Sequence, residues 1–230
     1  MLISSVITAA GLNSRMKKSQ IKKGISIKNK LLLPFPREDS EKTVIETTID
    51  NILLSGVDEC IVVLGHYAED IKKILANITI DDDRVKIVEN KDINVGLSYS
   101  LLNGLKHSSN DYVLCSAGDQ PTISSKTYKN IIDSLFNLKN PENSVSILRR
   151  EKYGILDSPD GLGMPFIDNK NIFLDYLKEE DNNLNPIIRK VFRNGIEFYG
   201  VKEDSPIELI NINQHEDYKF ILDNIWFLIL

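Results

Sequence analysis

Short apolar runs alternate with longer segments of helical spacing through the first two thirds of this 230-residue chain. Leu2 to Thr8 is rich in apolar and β-branched residues and is followed by Gly11, a pattern that predicts a buried strand. The same reasoning predicts strands at 59–64, 84–88, 111–116 and 144–148, and helices at 43–55, 68–75, 97–107 and 124–135. Strands separated by helices favour a doubly wound α/β fold, in which helices cover both faces of a mainly parallel sheet. A ligand is then expected at the carboxyl ends of the strands.

Predicted strands and helices alternate less regularly in the last third of the chain. A segment rich in glycine and proline, from Gly154 to Pro165, predicts loops. Helices are predicted at 171–178, at 186–191 and from residue 215, and strands at 197–201 and 207–212. The apolar tail from Ile225 to Leu230, with Trp226, is expected to pack on the core or at a subunit interface. The sequence contains no linker or repeat, so residues 1–230 are expected to form a single domain.

Composition restricts the partners that this chain is expected to have. It contains 28 Lys+Arg against 33 Asp+Glu, a formal net charge of -5, which disfavours nucleic acid as a partner. The apolar runs are too short for a signal peptide or a membrane span, and the cysteines Cys60 and Cys115 lie within apolar runs. We therefore expect a cytoplasmic protein without a membrane partner. The first 37 residues, however, contain no acidic residue, which indicates an anion held there.

The loop after the first strand, Thr8 to Met16, is the most informative segment. Small residues there let the backbone approach a ligand closely, and successive N–H groups can bind a phosphate. Arg15 and Lys30 supply positive charge. The guanidinium group of Arg15 can make two parallel hydrogen bonds to a phosphate, whereas the ammonium group of Lys30 acts as a point charge. The loop matches neither a P-loop nor a dinucleotide-binding turn. The alternative is an ordinary turn between strand and helix, with solvated lysines.

One carboxylate is predicted at the same edge of the sheet. Asp119 follows the apolar strand that ends near Ser116, with Gly118 before it and Pro121 after it. A carboxylate oxygen beside a cationic phosphate loop suits Mg²⁺ carried with a nucleoside triphosphate. The alternative is an aspartate that caps a turn.

The chain resembles the MobA-like nucleotidyltransferases, and within them the molybdenum cofactor cytidylyltransferases. The matching motifs occur in the same order and span nearly the whole chain. The resemblance is carried by Ala9-Ala10-Gly11, Arg15-Met16, Lys30-Leu31-Leu32-Leu33-Pro34, Val62-Val63-Leu64-Gly65, Gly96-Leu97-Ser98-Tyr99-Ser100-Leu101, Gly118-Asp119-Gln120-Pro121 and Glu216-Asp217-Tyr218. It implies a Rossmann-like nucleotidyltransferase fold, with a nucleotide-binding part at 1–143 and an acceptor-side part at 144–230.

The resemblance also implies a reaction, in which CMP passes in line from CTP to a phosphate of molybdopterin and pyrophosphate leaves. Its catalytic residues would be Asp119, Lys30 and Arg15, and its metal ligands for Mg²⁺ would be Asp119 and Asn211. The nucleotide-binding residues would be Ala9, Ala10, Gly11, Arg15, Lys30, Gly65, Asn90 and Ser98. The methyl group of Ala10 would narrow the pocket toward a pyrimidine. A phosphosugar or another small phosphate as acceptor, or a nucleotide-binding protein of this fold without turnover, are the alternatives.

Three segments depart from the family pattern. The basic stretch 17–29 lengthens the spacing before Lys30, so Lys17 and Lys18 are alternatives for the phosphate-binding lysine. Met164 stands where the family has histidine. The late Asp-Ile-Asp of the family is Asn211-Ile212-Asn213 here, and an amide oxygen can ligate Mg²⁺ but brings no charge.

The remaining candidate residues give weaker evidence of function. The histidines His66, His107 and His215 are scattered and predict no transition-metal site. His66 follows a predicted strand end and is a candidate ligand contact. Asp81 to Asp83 predicts a solvated turn before a strand.

Overall fold

The computed structural model describes residues 1–36, 41–149, 152–179 and 183–225. The prediction for the tail that contains Trp226 lies outside these residues. The strands are β1 (Ile3–Ala9), β2 (Pro34–Pro36), β3 (Glu41–Thr43), β4 (Glu59–Leu64), β5 (Val85–Glu89), β6 (Tyr112–Ala117), β7 (Ser144–Leu148), β8 (Gly154–Ile155), β9 (Phe166–Asn169) and β10 (Glu197–Val201). The helices are α1 (Ser14–Lys22), α2 (Val44–Leu54), α3 (Ala68–Asp81), α4 (Leu97–His107), α5 (Ser125–Phe136), α6 (Asn171–Glu179), α7 (Leu184–Arg193) and α8 (His215–Asn224).

The main sheet has eight strands in the order β5-β4-β1-β6-β9-β7-β10-β8, and β2 and β3 form a separate hairpin. The pairs β5–β4, β4–β1, β1–β6 and β7–β10 are parallel. β9 is antiparallel to β6 and β7, and β8 is antiparallel to β10. The sheet is therefore mainly parallel, as predicted.

Helices cover both faces of this sheet. Val6 and Ile7 are neighbours on β1 and point to opposite faces, and both are completely buried. Ile7 lies in the core under α2, α3, α5 and α8, whereas Val6 lies in the core under α4, α6 and α7. Burial on both faces requires near-continuous apolar strands, and this confirms the doubly wound α/β fold.

Several predicted elements have the predicted bounds or nearly so. β4, α4, β7 and β10 match the sequence prediction, and α8 begins at His215. α2 begins at a capping box, in which the Thr43 hydroxyl accepts from the Glu46 N–H and the Glu46 carboxylate accepts from the Thr43 N–H. The Ser124 hydroxyl caps α5, as predicted, by accepting from the Thr127 N–H.

The strand predicted at 207–212 is wrong. Pro206 begins a short 3-10 helix that ends at Leu209. The buried carboxylate of Glu208 accepts from the N–H groups of Ser124 and Asp204 and from the Thr127 hydroxyl, which fixes this turn against α5. The apolar residues around it therefore pack on the core without forming a strand.

Candidate functional site

The carboxyl ends of β1 and β6 lie side by side. The two strands pair in parallel from Ile3 opposite Tyr112 to Thr8 opposite Ala117. The pairing continues into the loops, where the Gly118 N–H donates to the Thr8 carbonyl at 3.0 Å. The loop after β1 and the carboxylate of Asp119 thus occupy one edge of the sheet, as their sequence positions predicted.

A cavity of about 320 Å³ opens at this edge. It is lined by Thr8, Ala9, Ala10, Gly11, Asn13, Arg15, Asn29, Lys30, Leu31, Val95, Gly96, Leu97, Ser100, Ala117, Asp119, Met164, Asn211 and Asn213. The lining comes from the ends of β1 and β6 and the loops after them, the segment before β2, the start of α4, the segment before β9 and the segment before α8.

Most of the site residues predicted from sequence meet in this lining. They are Ala9, Ala10, Gly11, Arg15, Lys30, Asp119 and Asn211. The competing lysines Lys17 and Lys18 are exposed on α1 and lie outside the lining.

Three predicted nucleotide-binding residues lie outside the lining. Gly65 lies behind the loop, where a Cβ atom added to it would meet the Ala10 Cβ at 2.9 Å, so a larger residue would push Ala10 into the cavity. Asn90 is buried, donates to the Ser100 hydroxyl at 2.9 Å and accepts from the Asn103 amide at 3.0 Å. Ser98 is completely buried. Asn90 therefore orients Ser100, which does line the cavity.

His66 also lies outside the lining, and its Nε2 atom is buried with no hydrogen-bond partner in the described part of the chain. Its N–H donates to the Ala10 carbonyl at 3.3 Å, so its backbone supports the loop after β1. The contact predicted between His66 and a ligand remains a prediction.

Asn13, which sequence reasoning missed, fixes the path of the basic segment 17–29. Its backbone is in the left-handed region, with φ 58°, a conformation that Asn tolerates better than most residues. Its amide donates to the Lys28 carbonyl at 3.0 Å and accepts from the Lys30 N–H at 3.2 Å. The buried amide oxygen of Gln20 accepts from the Lys28 N–H at 3.1 Å. These bonds fold the added residues back, so that Lys30 returns to the cavity despite the longer spacing.

Lys30 and Asp119 form an ion pair in the cavity, between the lysine Nζ and Asp119 Oδ2. The other carboxylate oxygen, Asp119 Oδ1, is buried and has no hydrogen-bond partner in the part of the chain that the structure describes. A carboxylate oxygen in such a position needs a partner, and a hard cation such as Mg²⁺ is a suitable one. The residues at this position therefore fit a divalent metal ion.

The described lining holds two cationic side chains, Arg15 and Lys30, and one anionic side chain, Asp119. No group of three or more His, Cys, Asp or Glu residues among those described could hold a metal ion by itself. Such a site attracts an anion more strongly than a bare cation. A metal ion here would need further oxygen ligands, which the phosphates of a nucleotide supply.

Gln120, buried and adjacent to Asp119, joins three parts of the site. Its amide oxygen accepts from the Ala117 N–H at 3.1 Å, and its amide nitrogen donates to the Met164 carbonyl at 3.0 Å. The same nitrogen donates to Asn211 Oδ1 at 3.1 Å. The chain is also held here by the Ile212 N–H, which donates to the Asp119 carbonyl at 3.2 Å.

The start of α8 is docked against α1. The Glu216 carboxylate accepts from the Ser19 hydroxyl at 2.6 Å and forms an ion pair with Lys23 at 3.0 Å. The Ser19 hydrogen bond and then the Lys23 contact lower the pKa of Glu216 to about 2. The Tyr218 hydroxyl donates to the Pro34 carbonyl at 2.6 Å. The start of α8 thus supports α1, the helix that follows the β1 loop.

Comparison with known proteins assigns the family. The model of the MobA-like NTP transferase domain matches residues 5–156, about two thirds of the chain. The chain belongs to this family. The matched residues include the β1 loop, Lys30 and Asp119, which meet in the cavity.

The chain is also similar to individual proteins from other organisms. A nucleotidyl transferase from Methanothermobacter thermautotroptrophicus is 39% identical, has a TM-score of 0.87 and matches over 98% of both chains. The Mycobacterium tuberculosis H37Rv protein Rv0371c, in complex with manganese, shares the fold at 22% identity and a TM-score of 0.63, over 97% of this chain and 98% of that one. The bifunctional protein GlmU of Acetivibrio thermocellus is 25% identical over 99% of this chain. This chain spans only 44% of the length of that GlmU protein.

Within the described residues, every helix is too short or too polar to cross a membrane.

Proposed function

We propose that this member of the MobA-like NTP transferase family moves a nucleotidyl group, CMP from CTP, onto a phosphate-bearing acceptor and releases pyrophosphate. Molybdopterin is the acceptor that we favour from the sequence resemblance. The observation that carries the proposal is the cavity at the ends of β1 and β6, which Arg15, Lys30 and Asp119 line together, with Lys30 paired to Asp119.

The proposed mechanism is electrostatic. In-line transfer between phosphates needs little covalent chemistry from the protein, which must align the reactants and neutralise the charge that develops on oxygen. Arg15 and Lys30 would bind the β- and γ-phosphates that leave as pyrophosphate, and backbone N–H groups near Gly11 would hold the turn between phosphates.

A divalent metal ion, proposed as Mg²⁺, would be held by Asp119, whose Oδ1 has no other partner in the described chain. When bound, the ion supplies positive charge at the α-phosphate. The manganese complex of Rv0371c, which has the same fold, supports a divalent metal here. Lys30 now occupies Asp119, and the proposal has it shift toward the phosphates when the nucleotide binds, so that the metal ion can use the carboxylate.

The proposal of CTP rests on Ala10. Ala10 lines the cavity, and its methyl group packs closely against Gly65, so it has little room to retreat. A fixed methyl group favours a smaller pyrimidine base over a purine. The contribution to nucleotide binding that we expect from Asn90 and Ser98 would then be indirect, made through Ser100 and the start of α4.

Two alternative functions are also compatible with the residues of the cavity: one has a different acceptor, and the other binds the nucleotide without a reaction. A phosphosugar would meet the same cationic groups, so it is the alternative acceptor. A nucleotide-binding protein without turnover is favoured by Asn211 and Asn213, which line the cavity without adding a negative charge.

The buried, free cysteines Cys60 and Cys115 accord with the reducing cytoplasm in which we expect the protein to act.

The decisive experiment is pyrophosphate release with each nucleoside triphosphate, Mg²⁺ and a panel of acceptors that includes molybdopterin and phosphosugars. We expect release with CTP and molybdopterin, and a loss of roughly a hundredfold or more in the Asp119→Asn variant. Glu69→Gln, at an exposed residue of α3, is the charge-matched control and should keep full activity. Nucleotide binding without release for any acceptor would contradict the proposal and support the binding protein.

A further inference from the structure

The orientation of the Gln120 amide is fixed by partners that have only one polarity. The Ala117 N–H can only donate, so the Gln120 atom that faces it at 3.1 Å is the oxygen. The Met164 carbonyl can only accept, so the atom that faces it at 3.0 Å is the nitrogen. Two independent backbone groups therefore agree on which end of this side chain is which.

This orientation determines that of Asn211. Gln120 Nε2 donates, so the Asn211 atom that lies 3.1 Å from it is the oxygen, Oδ1. The Asn211 amide is planar, and its NH2 group points away from the oxygen. In the described part of the chain this NH2 group has no hydrogen-bond partner, and because it is absent from the buried polar atoms that lack one, it is accessible. Asn211 lines the cavity, and the polar group that it leaves available to a ligand is therefore the NH2 group, a hydrogen-bond donor.

The geometry points to Asn211 as a phosphate-binding residue, which donates its NH2 group to a phosphate oxygen and is not a metal ligand. This inference rests on the proposed function and revises the role expected for Asn211 from the sequence. The amide nitrogen of Asn211 would join Lys30 and Arg15 as a donor to the anionic substrates. The metal ion would then have one protein carboxylate, Asp119, and take its other ligands from phosphate and water.

An isosteric variant separates the two roles. In Asn211→Asp the carboxylate still accepts from Gln120, so the packing is retained, while the free group changes from a donor to a charged acceptor. Asn213→Asp adds the same charge in the same lining, two residues away, and is the matched control.

The binding of CTP and of inorganic phosphate is measured by calorimetry in excess EDTA, with no metal present. We expect Asn211→Asp to weaken at least one of them by roughly tenfold or more, as the loss of a bond to a charged group does, and Asn213→Asp to have a smaller effect. A loss for CTP assigns the contact to the nucleotide. A loss for phosphate alone assigns it to the acceptor's phosphate. Manganese binding without nucleotide, measured by electron paramagnetic resonance, should become tighter in Asn211→Asp.

The inference is overturned if metal-free binding of both probes is unchanged in Asn211→Asp or is weakened equally in Asn213→Asp, or if the wild-type protein binds neither probe. It is also overturned if Asn211→Ala weakens manganese binding in the presence of CTP, because an oxygen ligand would then have been lost. Failure of the proposed function has a different signature, in which the wild type binds CTP but releases no pyrophosphate.

Discussion

The Lys30 ammonium group pairs with the Asp119 carboxylate, which lies 89 residues further along the chain. Both side chains are mostly buried, with exposed fractions of 18% and 13%. A cation therefore already sits on the carboxylate that the metal ion would use. If phosphate draws Lys30 away, the nucleotide and the metal ion each favour the binding of the other, and this coupling must be reciprocal.

Replacing Lys30 with Met should separate these two events. Lys30→Met removes the ammonium group but keeps much of the side-chain volume, so Asp119 is left free to bind a cation. We expect manganese to bind more tightly without nucleotide, while pyrophosphate release falls by roughly a hundredfold because a phosphate-binding charge is lost. Electron paramagnetic resonance measures the first effect and a pyrophosphate assay the second. Lys18→Met, at an exposed lysine outside the cavity, should change neither, and unchanged manganese binding in Lys30→Met would contradict the competition.

Asn13 should control where Lys30 lies. Asn13→Gly keeps the left-handed backbone without strain but removes the hydrogen bonds to Lys28 and Lys30. Each such bond contributes about 1 kcal/mol, so we expect kcat/KM for pyrophosphate release to fall by roughly tenfold or more, with the fold intact by circular dichroism. Asn13→Asp keeps the acceptor for the Lys30 N–H and should lose less. Equal activity in Asn13→Gly and wild type would show that Lys30 is positioned by other contacts.

The buried aspartate of β9 should reduce stability at neutral pH. Asp168 is completely buried, and its carboxylate oxygens have no hydrogen-bond partner in the described chain. Burial raises the pKa of Asp168 well above its usual value. As pH rises, the carboxyl group therefore loses its proton in the unfolded state while it is still protonated in the native state. Stability from this group therefore falls as pH rises. We expect Asp168→Asn to raise the melting temperature by a few degrees at pH 8 and by less at pH 4, as measured by calorimetry.

The exposed Asp133 on α5 provides the control for Asp168. Asp133→Asn should shift the melting temperature little at either pH, because surface ion pairs contribute little. A shift in Asp168→Asn that is the same at pH 4 and pH 8 would show that charge at this position is not what limits stability.

The sequence predicted the parts of the fold that depend on local apolar pattern. β4 and α4 have the predicted bounds, since an apolar run and a helical repeat define them directly. The meeting of Gly11 and Asp119 followed from strand order, because parallel strands share an edge. β9 was missed because it is only four residues long, follows Pro165 and contains the charged Asp168, features that are typical of a loop.

Other parts of the site depend on contacts that no local pattern records. α1 was not predicted, because Met16 and Gln20 are its only buried residues and the rest of the helix is polar apart from the exposed Ile21. Ser98 and Ser100 are two positions apart at the start of α4, and only Ser100 faces the cavity. That difference depends on how the helix is rotated against the sheet. The hydrogen bonds between Asn13 and the segment before Lys30 likewise require the folded chain.

Glu59 at the start of β4 should make stability depend on acidic pH. Burial alone would raise the pKa of Glu59, but hydrogen bonds from Lys86 at 2.7 Å, Ser4 at 2.6 Å and Ser109 outweigh it and lower the pKa from 4.5 to about 2. The stabilisation is therefore complete above about pH 4.5 and is lost as pH falls toward about 2. We expect Glu59→Gln to lower the free energy of unfolding in urea at pH 7 by about 1–3 kcal/mol, because the donors lose a charged acceptor that is itself buried. The difference between variant and wild type should shrink progressively below pH 4.5, and a difference that is constant from pH 7 to pH 2.5 would contradict the assigned pKa.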